Sequence, residues 1–320
     1  MIKINNIMFD VTDRCNFRCS HCYKEQDVRG TDLPFDAISH FLDEIECQKG
    51  CSSIVISGGE PLLYPELDRL LLMLNSRYAV RVNTNGYYLN EHIDSLKGIA
   101  SLRLQVSLDG YDEESFYLIR HAHAFDRIVK NTIKARESGL SVYFRTTLTT
   151  KTIDHYERFI ELSRETGIPI VIRPIINTGE ERQRELSIEY SKLTKWYEEV
   201  EQKGYLAYTA GRSPLSENSC PLLKKVPKVS LLTIDPAGDV YPCSLLRGEK
   251  FLMGNIKEHT LSALCRRTDD ALAALKEIIF SPSCTACGFR KQLGDGTCAV
   301  ACYFGNKKCL KKKIYGGAVR

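Results

Sequence analysis

From residue 4 to about residue 174, short apolar runs rich in β-branched residues alternate with stretches whose apolar positions recur at helical spacing. The runs predict strands at 4–11, 53–57, 79–83, 102–107, 141–147 and 169–174. The stretches between them predict helices near 36–49, 65–77, 91–96, 125–138 and 153–166, with Gly139 and Gly167 where helix ends need a left-handed residue. Strand–helix alternation at this spacing builds a parallel sheet from right-handed βαβ units. Six units predict an α/β fold, a partial (β/α)6 parallel barrel rather than a complete eight-unit one. An open doubly wound sheet is the structural alternative.

Beyond residue 176 the pattern changes. Residues 177–184 read as a polar linker, and 186–203 as a charged helix with a solvated face. A hairpin follows, with strands at 228–235 and 240–243 around the turn Pro236-Ala237-Gly238-Asp239. A helix is expected at 261–279 before a cysteine-dense tail. The division is therefore a barrel core over 1–178, a linker with bridging helix over 179–215, and a small cysteine-rich α+β domain over 216–320.

Composition narrows the classes. The 320 residues are 43% hydrophobic and 26% charged, with a net charge of +4, as in an ordinary globular protein with no argument for nucleic acid. The start lacks the charged, apolar and small-residue blocks of a secretory signal, and no apolar run is long enough to span a bilayer. The expectation is a cytoplasmic protein with neither nucleic-acid nor membrane partners. Thirteen cysteines, an odd count, then argue for metal ligation over a disulfide framework. They cluster at the two ends of the chain, with none between residues 52 and 219.

The first cluster, Cys15-x3-Cys19-x2-Cys22, lies in the long connection after the first strand. Three thiolates can hold three irons of a four-iron cluster and leave the fourth open, whereas a ferredoxin or structural zinc site supplies four ligands. Further polar segments fall at successive predicted strand ends, the face where barrels place ligands. They are Ser57-Gly58-Gly59-Glu60-Pro61, Asn83-Thr84-Asn85-Gly86 and Ser107-Leu108-Asp109-Gly110, joined by Arg145 and Arg173-Pro174. Glycines allow close backbone approach, Glu60 can accept from an ammonium, and Arg145 can grip a carboxylate.

This constellation resembles the radical SAM superfamily. The resemblance implies S-adenosylmethionine and a [4Fe-4S] cluster as cofactors, with the methionyl amino group at Gly58, Gly59 and Glu60 and its carboxylate at Arg145. It places His21 near the adenine, the Pro174 backbone against the same ring, and Asn83, Thr84, Asn85, Ser107 and Asp109 around the cofactor. The implied reaction is one-electron cleavage of the sulfonium to a 5′-deoxyadenosyl radical that abstracts a substrate hydrogen. An electron donor of the flavodoxin or reductase type would feed it.

The tail reads Cys220, Cys243, Cys284-x2-Cys287, Cys298-x3-Cys302 and Cys309. It resembles the SPASM extension, which binds one or two auxiliary [4Fe-4S] clusters in peptide- and protein-modifying relatives. By that resemblance Cys284, Cys287, Cys298 and Cys309 hold an outer cluster, and Cys220, Cys243 and Cys302 an inner one whose fourth position is either open or capped by Cys265, water or the substrate. The interval from Cys287 to Cys298 is longer than usual. A zinc site on the two paired cysteines is the alternative reading. Cys47 and Cys51 read as small hydrophobes. So does Cys265, although a thiol near the cavity could also donate a hydrogen atom.

The resemblance favours a ribosomally made peptide or small protein as substrate, for cross-linking, epimerisation or oxidation. Ser244 stands where sulfatase-maturing relatives carry an acidic base, which argues against that chemistry. With Cys15 so early, a peptide substrate is expected to be held by the core, by a separate leader-binding partner, or to be recognised without a leader. A non-peptide metabolite, as in tetrapyrrole decarboxylation or aminoglycoside-type oxidation, is the alternative substrate. A non-catalytic electron-transfer or zinc protein is the alternative class, and it leaves the Gly58–Glu60 segment and Arg145 without a task.

Overall fold

The alternation in the sequence folds into one sheet. The computed structural model describes residues 4, 6–24, 30–47, 51–176, 183–209, 231–268 and 270–273. Six parallel strands come first in space and in sequence: β1 (Asn6–Asp10), β2 (Ser53–Ser57), β3 (Ala79–Thr84), β4 (Leu102–Ser107), β5 (Ser141–Leu148) and β6 (Ile170–Pro174). Each pairs with its neighbour, so the order across the sheet is the order along the chain. The helices are α1 (Phe35–Cys47), α2 (Leu67–Leu74), α3 (Leu89–Lys97), α4 (Glu113–Arg120), α5 (Phe125–Glu137) and α6 (Tyr156–Thr166), followed by α7 (Tyr190–Gln202) and α8 (Leu261–Arg266).

The reason each helix lies on the sheet is legible in α1. Ile38, Phe41, Leu42 and Ile45 recur at helical spacing and are all buried. Phe41 meets Phe9 of β1 edge-on, with ring centroids 6.4 Å apart, and each such side chain contributes about 1.5–3 kcal/mol through burial. Gly139 and Gly167 take φ values of 90° and 64° just beyond α5 and α6, as the helix ends require.

On the strands, alternation divides two faces. Val80, Val82, Leu104, Val106, Phe144, Ile170 and Ile172 are buried among the helices. The intervening positions, Arg81, Asn83, Gln105, Ser107, Tyr143 and Arg145, therefore line the inner, concave face. This is a partial barrel with a polar interior.

Three elements depart from the sequence reading. The helix expected over 186–203 begins only at Tyr190, because residues 183–186 form a turn held to the segment after β5 by the Thr150 N–H donating to Leu186 O (3.0 Å). The short helix α4 escaped a reading based on apolar spacing, since its local signal is the capping pair Asp112 and Ser115. The expected hairpin does form, as β7 (Leu231–Ile234) and β8 (Asp239–Tyr241), with a short β9 (Gly254–Asn255). It joins the barrel sheet: β7 runs parallel to β1, Met8 opposite Thr233. Among the described residues no helix is long and apolar enough to cross a membrane.

Candidate active site

The three-cysteine loop continues β1 and lies along the Gly58–Glu60 segment as an extra rung of the sheet. The Gly59 N–H donates to Thr12 O and the Glu60 N–H to Arg14 O, each at 2.7 Å. A Cβ on Gly59 would stand 2.2 Å from Arg14 O, and one on Gly58, whose φ is 150°, 2.6 Å from Thr12 O. Glycine is required here because backbone passes over backbone. Ser20 anchors the far side of the loop, its N–H and hydroxyl both donating to Ile119 O at the end of α4 (2.9 and 3.1 Å).

The thiols sit in a shielded pocket, with Cys19 buried and Cys15 and Cys22 half-buried. The Phe17 N–H donates to Cys15 Sγ (3.5 Å) and the Arg120 guanidinium to Cys19 Sγ (3.6 Å). Burial pushes the Cys19 thiol up to about 11, against the pull of Arg120. Among the described residues no three His, Cys, Asp or Glu stand close enough to share one ion, and cubane thiolates each hold a separate iron.

Two buried carboxylates organise the surroundings. Asp109 at the end of β4 pairs with Arg120, lies 3.3 Å from His21 Nε2, and accepts from the Thr147 N–H (2.6 Å). Burial alone would raise its pKa, but Arg120 and then His21 hold the carboxyl below its ordinary range. Burial lowers His21 to about 4, so the imidazole is neutral, and its buried Nδ1 has no hydrogen-bond partner among the described residues. Asp10 at the end of β1 is the second. It receives Lys24 Nζ (2.7 Å) and Arg247 Nη2 (2.5 Å), and Lys24 also donates to Gly58 O (2.5 Å). Lys24 follows Cys22 and Arg247 follows Cys243, so Asp10 joins the two cysteine-bearing segments. Lys24 and Arg247 outweigh the effect of burial and depress its pKa.

Glu60 is fully buried and already bonded: Oε1 accepts from Leu62 N–H (3.1 Å) and Thr84 Oγ1 (2.6 Å), and Oε2 from Asn85 N–H (2.7 Å). It pins the end of β3 to the glycine segment, leaving one of a carboxylate's roughly four acceptor positions. Asn85 Nδ2 reaches Asn16 Oδ1 in the cysteine loop (2.8 Å). Arg145 differs: its guanidinium makes no hydrogen bond or ion pair among the described residues, and burial together with Arg173 pulls it down to about 9. Ser107 is its register partner on β4, and Pro174 closes β6 opposite Leu148. Asn83 Oδ1 is buried and has no partner among the described residues.

Sequence reasoning thus names the loop and strand ends but misses Asp10, Lys24, Arg120 and Arg247. Their contacts join residues 14 to 237 positions apart. Of the remaining cysteines, Cys243 lies in the segment after β8, Cys265 on α8 docked against α1, Cys47 is exposed at the end of α1, and Cys51 donates to Ser53 O (3.3 Å). Cys220, Cys284, Cys287, Cys298, Cys302 and Cys309 lie outside the described residues.

Residues 9–163 match the family model of the radical SAM superfamily, and residues 228–303 that of the SPASM iron–sulfur cluster-binding domain. The two matches cover well over half the sequence, and the chain belongs to the radical SAM superfamily with a SPASM domain. Its cofactors are accordingly S-adenosylmethionine, a [4Fe-4S] cluster in the core and one or two auxiliary [4Fe-4S] clusters. The core site fits them: three shielded thiols on one loop, and, among the described residues, a guanidinium with no ion pair at Arg145 and an imidazole nitrogen with no hydrogen-bond partner at His21.

Among curated proteins, the chain is 32% identical to a GTP 3′,8-cyclase of Nautilia profundicola over 45% of this chain and 47% of that one. It is 30% identical to a probable GTP 3′,8-cyclase of Methanocella arvoryzae over 54% and 57%. The chain spans about half the length of the curated relatives it matches. Among solved structures it resembles SuiB of Streptococcus suis bound to precursor peptide SuiA, with a TM-score of 0.73 at 16% identity over 94% of this chain and 73% of that one. It also resembles anSMEcpe with bound AdoMet, with a TM-score of 0.74 at 16% identity over 98% and 97%. These likenesses bear on the fold.

Proposed function

We propose that this chain cleaves S-adenosylmethionine reductively and uses the 5′-deoxyadenosyl radical to take a hydrogen atom from a ribosomally made peptide, in a cross-linking, epimerising or oxidising reaction. One observation carries the reading: the three-thiol loop, His21 against Asp109, and Arg145, which has no hydrogen bond or ion pair among the described residues, lie on the C-terminal side of the parallel strands. The bound cluster supplies the single electron that breaks the sulfonium bond. Cys15, Cys19 and Cys22 would hold it, Arg145 would receive the methionyl carboxylate, and Gly58, Gly59 and the last free position of Glu60 would face the ammonium. His21, Asn83, Ser107 and the Pro174 backbone line the adenosine, while Thr84, Asn85 and Asp109 fix their positions. Cys220, Cys243, Cys284, Cys287, Cys298, Cys302 and Cys309 serve the auxiliary clusters of a domain over 216–320, and a flavodoxin-type donor delivers electrons in the cytoplasm.

A peptide substrate is supported by the likeness to SuiB, solved with its precursor peptide, and to anSMEcpe, also solved with a peptide. A small metabolite is the second reading, favoured by the curated relatives named GTP 3′,8-cyclase. The test is anaerobic: reduced, cluster-loaded enzyme with S-adenosylmethionine is offered a pool of short peptides or GTP. Peptides that lose two hydrogens, or that gain one solvent deuterium in deuterium oxide with no other change, with faster release of 5′-deoxyadenosine, support the first reading. Turnover of GTP alone overturns it.

A further inference from the structure

The geometry points to an anion-binding subsite on the barrel's inner face, centred on Arg81, that takes a carboxylate or phosphate of the substrate and is separate from the cofactor headgroup site. It deepens the reading above and rests on it for the identity of the bound cofactor. Arg81 stands on β3 opposite Arg103 of β4, on the same face as Asn83, Gln105 and Arg145. Among the described residues its buried Nε has no hydrogen-bond partner, and neither has Asn83 Oδ1 two residues along the strand. A guanidinium and an amide oxygen left open on one face can meet an anion and an adjoining donor group.

Counting charge on this face leaves a surplus of cations. Asp10 is committed to Lys24 and Arg247, Asp109 to Arg120 and His21, and Glu60 to three donors. Asp109 attracts the charge on Arg145 while Arg173 and Arg81 repel it, and among the described residues no carboxylate pairs with Arg81. S-adenosylmethionine brings one carboxylate, which Arg145 takes, and a sulfonium that adds positive charge. Binding the cofactor therefore leaves Arg81 without a carboxylate among the described residues, and covering an unpaired cation with substrate is unfavourable unless the substrate brings an anion. Gln105 does not fill the role, because its Oε1 accepts from Tyr143 Oη (2.9 Å).

Cluster-loaded enzyme saturated with S-adenosylmethionine is titrated calorimetrically, without oxygen, with inorganic tripolyphosphate and with a blocked tripeptide of glutamate. The matching glutamine tripeptide is the uncharged control. At least one anionic probe binds and the control does not; Arg81→Gln weakens that binding by about tenfold or more, while S-adenosylmethionine affinity changes less than about twofold. Arg145→Gln shows the opposite split. Iron content and circular dichroism report folding, and Arg81→Lys, which keeps the charge, retains part of the affinity should Arg81→Gln fold poorly. Binding of tripolyphosphate alone keeps the subsite and removes the peptide reading. Binding of the glutamate peptide keeps both. Failure of both anions to bind, or equal affinity in Arg81→Gln, overturns the subsite and leaves the cofactor chemistry untouched.

Discussion

Arg120 is the residue whose removal should be felt in two independent measurements. Its side chain is 9% exposed and its partner carboxylate, Asp109, 1% exposed, so Arg120→Gln leaves a buried anion that has lost its guanidinium and keeps only the Thr147 N–H and His21. Breaking such a pair from one side costs about 3–5 kcal/mol. At a urea slope of about 3 kcal/mol/M, the unfolding midpoint falls by about 1 M or more. Removing Asp109 as well, in Asp109→Asn with Arg120→Gln, discards both charges, so the double variant loses much less than the sum of the singles. The second readout is the cluster. Arg120 donates to Cys19 Sγ, and a cation beside a ligand favours the more negative, reduced state, so Arg120→Gln lowers the midpoint potential measured by redox titration with EPR detection. An unchanged urea midpoint, additive singles and an unshifted potential would together refute the reasoning.

Three other perturbations follow from the same contacts. Gly59→Ala forces a Cβ to within 2.2 Å of Arg14 O, so the loop cannot close and iron per chain after reconstitution falls, with far-ultraviolet dichroism little changed. Asp10→Asn strands Lys24 and Arg247 and costs about 3–5 kcal/mol in urea unfolding at pH 7. Because the Asp10 pKa is depressed on folding, its contribution is complete above the unfolded value near 3.9 and is lost as pH falls through the folded one, so parent and variant apoproteins converge progressively below about pH 4. Phe41→Ala empties a site packed on Phe9 and costs about 3–5 kcal/mol in urea unfolding, while iron content is unchanged.

The sheet was readable because each parallel strand is a short apolar run whose partner comes next in sequence, so β1 to β6 need no long-range information beyond right-handed crossovers. The cysteine spacing was readable because a loop ligand set is local. What escaped is non-local. Nothing near Asp10 announces that Arg247 will reach it across 237 positions, and Arg120 ends a short polar helix whose charge resembles that of a solvated face. Gly58 and Gly59 show a subtler gap: their spacing signals close approach, yet the backbone that approaches is the cysteine loop itself. The hairpin was visible from Pro236-Ala237-Gly238-Asp239, but not its docking on β1, since a strand's sequence does not name its neighbour.

The central claim is that Cys15, Cys19 and Cys22 carry the cluster that opens S-adenosylmethionine. It is tested by reconstituting the protein anaerobically, adding dithionite and S-adenosylmethionine, and following 5′-deoxyadenosine by mass spectrometry beside a variant with all three cysteines changed to alanine. The account predicts 5′-deoxyadenosine from the parent protein and none from the variant. Equal yields from both, or none from a parent with intact iron–sulfur absorbance, would contradict it.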